Sequence, residues 1–141
     1  MSKKLFLGFL FLFLLTTNAS AQTNRQIEIF DISKERVVKK VPASSDIQEN
    51  VKRLLERTTS VYPKVKPIPS KGFMVKVPLE PAMVLRNQWL HGKINQVILV
   101  FPPKEHPFYL VMDEKNRTHL FLFEGETDTL LRKLNYKPRG Y

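Results

Sequence analysis

The sequence predicts an α+β fold, and three features carry that prediction: two adjacent β-branched runs near the N-terminus, one stretch with helical apolar spacing, and a C-terminal half dense in short apolar strands. The expected order is an N-terminal β-hairpin, one amphipathic helix, a five-stranded antiparallel meander and a short C-terminal helix.

The hairpin is read from "QIEIFDI", Gln26 to Ile32, and "VVKKV", Val37 to Val41, with Ser33 and Lys34 at the reversal. Pro42 ends it. The next stretch, "SSDIQENVKRLLERTTSVY", places Ile47, Val51, Leu54, Leu55 and Val61 at helical spacing, with Lys52, Arg53, Glu56 and Arg57 on the other side. Ser45 with Gln48 three residues on fits a capping box, and Asp46 and Glu49 sit where the helix dipole favours negative charge. A single apolar stripe needs one surface to bury against, most simply a sheet.

Pro63, Pro67 and Pro69 in "YPKVKPIPSKG" are spaced so that neither helix nor ladder persists, which makes this an extended basic connector. Beyond it the five expected strands are "FMVKV", "MVLRNQWL", "INQVILVF", "FYLVMD" and "THLFLF". The prolines at 78 and 81 separate the first from the second, and His91-Gly92 serves as a two-residue link between the second and third. In "FPPKEHPF", the prolines stop one strand and set up the next, with Lys104, Glu105 and His106 crossing the corner. "GETDTLLRKLNY" closes the chain as a short helix capped by Thr127, with Leu130, Leu131 and Leu134 buried.

A turn at Lys115-Asn116 sets Asp113 opposite Thr118. Phe108, Leu110 and Met112 then share a face with His119, Phe121 and Phe123, and Tyr109 and Val111 share the other with Leu120 and Leu122. Both faces are apolar, so these strands need cover on both sides. One helix cannot supply it. Either both helices and the hairpin take part, or the sheet curls, or a partner covers the remainder. The order of helix and curling sheet resembles cystatin-like and PepSY-like modules in architecture; no motif of either family stands in these residues, and the resemblance implies no activity.

The N-terminus reads as an export signal. Lys3 and Lys4 precede an apolar run of 11 residues, Leu5 to Leu15, and Ala19-Ser20-Ala21 offers the small residues of a cleavage site after Ala21. A bilayer-spanning helix takes about 20 apolar residues, so a retained anchor is the weaker alternative. The expected mature chain is a single secreted domain, 22–141, with no transmembrane helix and a formal charge reduced from +10 to +8. The absence of cysteine excludes disulfides, thiolate metal sites and thiol catalysis, and fits a bacterial secreted protein.

Chemistry is sparse. The histidines at 91, 106 and 119 lie on different connections, without metal-ligand spacing, so no metal is expected. Glu124, Glu126 and Asp128 precede a helix, where the dipole favours carboxylates without any catalytic role. No serine stands in a nucleophile motif, and no glycine-rich loop could cradle a phosphate-bearing cofactor. The remaining candidate is basic: Lys39, Lys40, Lys64, Lys66, Lys71 and Lys76 form an expected strip for an anionic surface.

The leading expectation is therefore a non-enzymatic binding module of the bacterial envelope. It would contact anionic cell-wall polymer or lipid headgroups, or another exported protein, and not nucleic acid. Two alternatives stay open. One is a secreted hydrolase using His106 with Glu105, or the carboxylates of Glu124, Glu126 and Asp128; in the other, the charge serves solubility alone.

Overall fold

The computed structural model describes residues 25–63 and 68–138, so the expected leader and Lys64 and Lys66 lie outside the described residues. The strands are β1 Gln26–Asp31, β2 Arg36–Pro42, β3 Thr58–Val61, β4 Phe73–Arg86, β5 His91–Phe101, β6 Phe108–Met112 and β7 Thr118–Phe123. The helices are α1 Ser45–Leu55 and α2 Asp128–Lys133. All seven described strands form one antiparallel sheet in the order β2-β1-β4-β5-β6-β7-β3. The class is α+β, dominated by the sheet.

The expected five-stranded meander has four strands, β4 to β7, because Phe73–Arg86 is one strand of 14 residues. Its prolines do not break it. Pairing to β5 runs to Pro78↔Gln96 and resumes at Met83↔Ile94, so residues 79 to 82 loop out opposite Asn95. An irregularity of this kind tolerates proline, since the looped residues owe no ladder hydrogen bond. The Glu80-Pro81 peptide within it is cis, and Glu80 N–H donates to Gln48 Oε1 of α1 at 2.7 Å. Gln48 is therefore spent on the strand and not on a capping box. The cap is Ser44, one residue earlier than expected, whose Oγ accepts from Ile47 N–H at 3.2 Å.

The expected helix is also shorter than its apolar spacing suggests. It ends at Leu55, where Thr58 Oγ1 donates to the Leu55 carbonyl. Thr58–Val61 then becomes edge strand β3 beside β7, and Val61 is exposed there instead of completing the helical stripe. β-branched residues suit that pleated edge better than a last helical turn.

Two turns differ from expectation. His91 and Gly92 open β5, opposite Arg86 and Leu85; the reversal is made by Asn87, whose Oδ1 accepts from Trp89 N–H and Leu90 N–H at 2.8 Å each. The β6–β7 turn holds one more residue than the pair expected. Asp113 N–H donates to the Arg117 carbonyl at 2.9 Å, enclosing Glu114, Lys115 and Asn116, and Asn116 takes the left-handed conformation at φ 63. Met112 thus faces Thr118, and the one-residue slip exchanges the faces of β7. Tyr109 and Val111 share a core with Phe121 and Phe123, while Phe108 and Leu110 pack with Leu120 and Leu122.

On the first face, Val51, Leu54 and Leu55 of α1 and Leu130 and Leu131 of α2 close over Ile29, Val75 and Leu99, all buried. Full burial of each such side chain contributes about 1.5–3 kcal/mol. The sheet also curls at its far end, where the Trp89 ring of the β4–β5 turn lies 6.0 Å from Phe121 of β7. The opposite face is covered without a helix. β3 pairs with β7, whereas β4 lies three strands further in, so the two described ends of the segment joining them meet this face at separate places. Its described ends pack on this face: Tyr62 stacks on Phe108 with ring centroids 3.8 Å apart, and Ile68 joins the same cluster. Tyr62 and Ile68 thus cover part of the second core.

Candidate functional site

The described lysines of the expected basic strip do not share one surface. Lys39 and Lys40 are neighbours on β2 and so point to opposite faces. Lys39 Nζ donates to the Asn135 carbonyl at 2.7 Å, holding the end of α2. Lys76 is a correction to the expected strip: it is 2 % exposed, with Nζ 3.3 Å from Glu28 Oε1. Burial pushes its ammonium below the ordinary lysine range, against the opposing attraction of Glu28. It has no surface to offer. Lys40 and Lys71 are exposed.

The histidines are also placed separately. His91 is exposed at the start of β5. His106 Nε2 donates to the Phe123 carbonyl at 2.8 Å, with its ring 5.3 Å from that of Phe123, which fastens the Lys104–His106 corner to the end of β7. His119 Nε2 lies 2.9 Å from Asp113 Oδ2. Glu124, Glu126 and Asp128 are exposed, and the Thr127 side chain makes no capping bond to α2. Among the described residues no three His, Asp or Glu side chains converge as metal ligands.

One polar centre is not anticipated by the sequence reading. The Asp113 side chain is 6 % exposed. Its Oδ1 accepts from Lys115 N–H and Arg117 N–H, at 2.8 and 2.9 Å, and its Oδ2 from Arg117 Nε and His119 Nε2, at 2.8 and 2.9 Å. The His119 bond, then the Arg117 backbone bond, hold the carboxyl far below the usual carboxylate range despite its burial. The signal was present in "DEKNR": Asp opening a turn and Asn near its end are the residues that bond their own backbone and accept positive φ.

Beside this turn a cleft of about 370 Å³ opens, lined by Ala82, Lys93, Asn95, Gln96, Met112, Asp113, Glu114 and Asn116. It lies where β5 and β6 part, since their pairing covers only Val100↔Phe108 to Ile98↔Leu110. Among the described residues, the side chains of Lys93, Asn95, Gln96 and Glu114 make no hydrogen bond or ion pair.

The chain thus belongs, by architecture, to the α+β proteins built on a single antiparallel sheet. No protein-family model, no curated protein and no solved structure matches it.

Proposed function

We propose that the protein is a small, exported, non-enzymatic module of the bacterial envelope that holds anionic polymer or lipid headgroups by charge. The observation behind this reading is the set of cations the fold leaves unspent. Ion pairs engage Arg25 with Glu80, Lys76 with Glu28, Arg117 with Asp113 and Lys133 with Asp46. Among the described residues, Arg36, Lys40, Lys71 and Lys104 are exposed and form no ion pair. A net positive surface raises the local concentration of anionic polymers and speeds encounter with them. The export reading rests on Lys3, Lys4, the apolar run from Leu5 to Leu15 and the Ala19-Ser20-Ala21 site. No helix among the described residues is long and apolar enough to cross a membrane.

A hydrolase built on His106 has weaker support, because the Nε2 of that ring is committed to the Phe123 carbonyl and the Glu124, Glu126 and Asp128 carboxylates stand in solvent. The test is co-sedimentation with purified cell walls and with vesicles containing anionic lipid. Bound protein should be released as salt rises from roughly 0.1 M to roughly 1 M, where the screening length falls from about 10 Å to about 3 Å. Absent or salt-insensitive binding refutes the proposal.

A further inference from the structure

The second face of the sheet is built in rows, and one row breaks the apolar pattern. Phe30, Met74, Val100, Phe108 and Leu122 form a row across β1, β4, β5, β6 and β7. Glu28, Lys76, Ile98, Leu110 and Leu120 form the next. Beyond these come Gln96, which pairs with Pro78, and Met112, which pairs with Thr118. The first two rows are buried over most of their length, whereas Gln96 and Met112 are half-buried and Thr118 is exposed. Gln96 and Met112 of this third row line the cleft.

We infer that the cleft between the β4 irregularity and the β6–β7 turn is a binding site for a short neutral saccharide. Its volume of about 370 Å³ lies at the small end of the roughly 300–1,000 Å³ typical of ligand clefts, which suits one or two sugar rings. Asn95, Gln96 and Asn116 line it, and each carboxamide supplies donors and an acceptor, the pairing that vicinal hydroxyls require. Lys93 and Glu114 add a donor and an acceptor of opposite charge. Asp113 brings no uncompensated charge, since Arg117 and His119 occupy its Oδ2 and backbone N–H groups its Oδ1. Counted with the Arg117 that pairs with Asp113, the lining therefore carries no net charge with which to select an ion. Met112 and Ala82 provide an apolar patch for a ring face or an acetamido methyl group. The walls are preorganised: Asp113 fixes one through its turn, and the β4 irregularity bonded to Gln48 fixes the other. This site does not depend on Arg36, Lys40, Lys71 or Lys104, and its ligand differs from theirs in charge.

The experiment is an amide chemical-shift titration of the purified protein with the N-acetylglucosamine dimer and, separately, with cellobiose; trialanine serves as a peptide control. One of the two sugars should bind with a Kd on the order of 1 mM and shift the amides of residues 93 to 96 and 112 to 116. Raising salt should leave that Kd unchanged, which separates this site from the charge-driven surface. Gln96→Ala should weaken binding by about tenfold, the equivalent of about 1.4 kcal/mol, while Lys40→Ala, outside the cleft, should leave it unchanged. The proposal is overturned if neither sugar shifts these amides, if the shifts fall elsewhere, or if trialanine alone produces them. The wild-type shift map decides the matter even if Gln96→Ala fails to fold.

Discussion

Removing Glu28 should damage the protein more than removing Lys76, although the two substitutions break the same ion pair. The Lys76 side chain is 3 % exposed and that of Glu28 is 20 % exposed. Glu28→Ala therefore leaves an ammonium buried on a strand between Val75 and Val77, with Lys40 nearby to repel it. Breaking a buried pair in this way costs about 3–5 kcal/mol. The partial exposure of Glu28 lowers the figure to about 2–3 kcal/mol, since water already screens that end. Lys76→Met instead removes the desolvated charge and keeps the volume. Glu28 then retains Lys40 opposite it in the register, so the expected change is between about −1 and +1 kcal/mol.

The assay is urea unfolding followed through the fluorescence of the single tryptophan, Trp89, for wild type, both single variants and the double variant. At about 4 °C per kcal/mol for a chain of this size, Glu28→Ala should also lower Tm by roughly 10 °C. The pH dependence supplies an independent sign. The lysine titrates lower in the folded state than in the unfolded state, so between those two values the unfolded chain binds more protons and stability rises with pH. The deficit of Glu28→Ala should thus shrink as pH rises from neutral toward the ordinary lysine pKa of about 10.4, and Lys76→Met should show no such recovery. Equal costs for the two single variants, or a deficit that grows with pH, would refute the reasoning.

Other outcomes follow from the remaining polar groups. Tyr109 bonds Thr58 through its hydroxyl, and burial pushes the phenol up to about 12. Stability should hold to about pH 10 and fall by up to about 3 kcal/mol by pH 12; Tyr109→Phe should lose this alkaline limb in circular-dichroism melts and cost about 1 kcal/mol at neutral pH. Asp113 has its folded pKa depressed, so its contribution is complete above the unfolded value of about 3.9 and lost as pH falls below it. Asp113→Asn should flatten that acid limb, and hydrogen exchange at the Lys115 and Arg117 amides should quicken. Asn116→Val places a β-branched residue at φ 63 and should cost about 1–3 kcal/mol, measured by denaturation, whereas Asn116→Gly should be tolerated.

What could be read from the sequence was mostly local. The stripe of Ile47, Val51, Leu54 and Leu55, the hairpin reversal after Asp31, and the buried leucines of α2 each declare themselves within a few residues. The features that escaped depend on distant partners or on a single dihedral. Thr58–Val61 follows a helix without a breaker, and its strand identity comes from β7, some 60 residues away. Pro78 and Pro81 look like strand ends until the pairing resumes at Met83. The β7 face turns on whether the Asp113 turn holds two residues or three, and the left-handed Asn116 decides it. Lys76 was misread for the same reason. Alternation in "FMVKV" places it away from Val75 and Val77, and its charge put it in the expected surface strip, but its face carries the second core, where Tyr62 and Ile68 pack.

That packing also explains why a polar cleft sits on an otherwise apolar sheet. A helix would cover its face evenly, but Tyr62 and Ile68, at the described ends of the connector, cover only what lies beneath them. Tyr62 and Ile68 pack over the rows built on Phe108 and Leu110, and those rows are correspondingly Phe, Met, Ile, Val and Leu, apart from the single Glu28–Lys76 pair. At Gln96, Met112 and Thr118 the composition changes in step with the loss of cover. An unsatisfied amide beneath that cover would cost about 1–3 kcal/mol, so glutamine is acceptable on this face only where the cover ends. The β4 irregularity and the Asp113 turn then raise walls on either side of that exposed row. The position of the cleft follows from where the cover by Tyr62 and Ile68 ends.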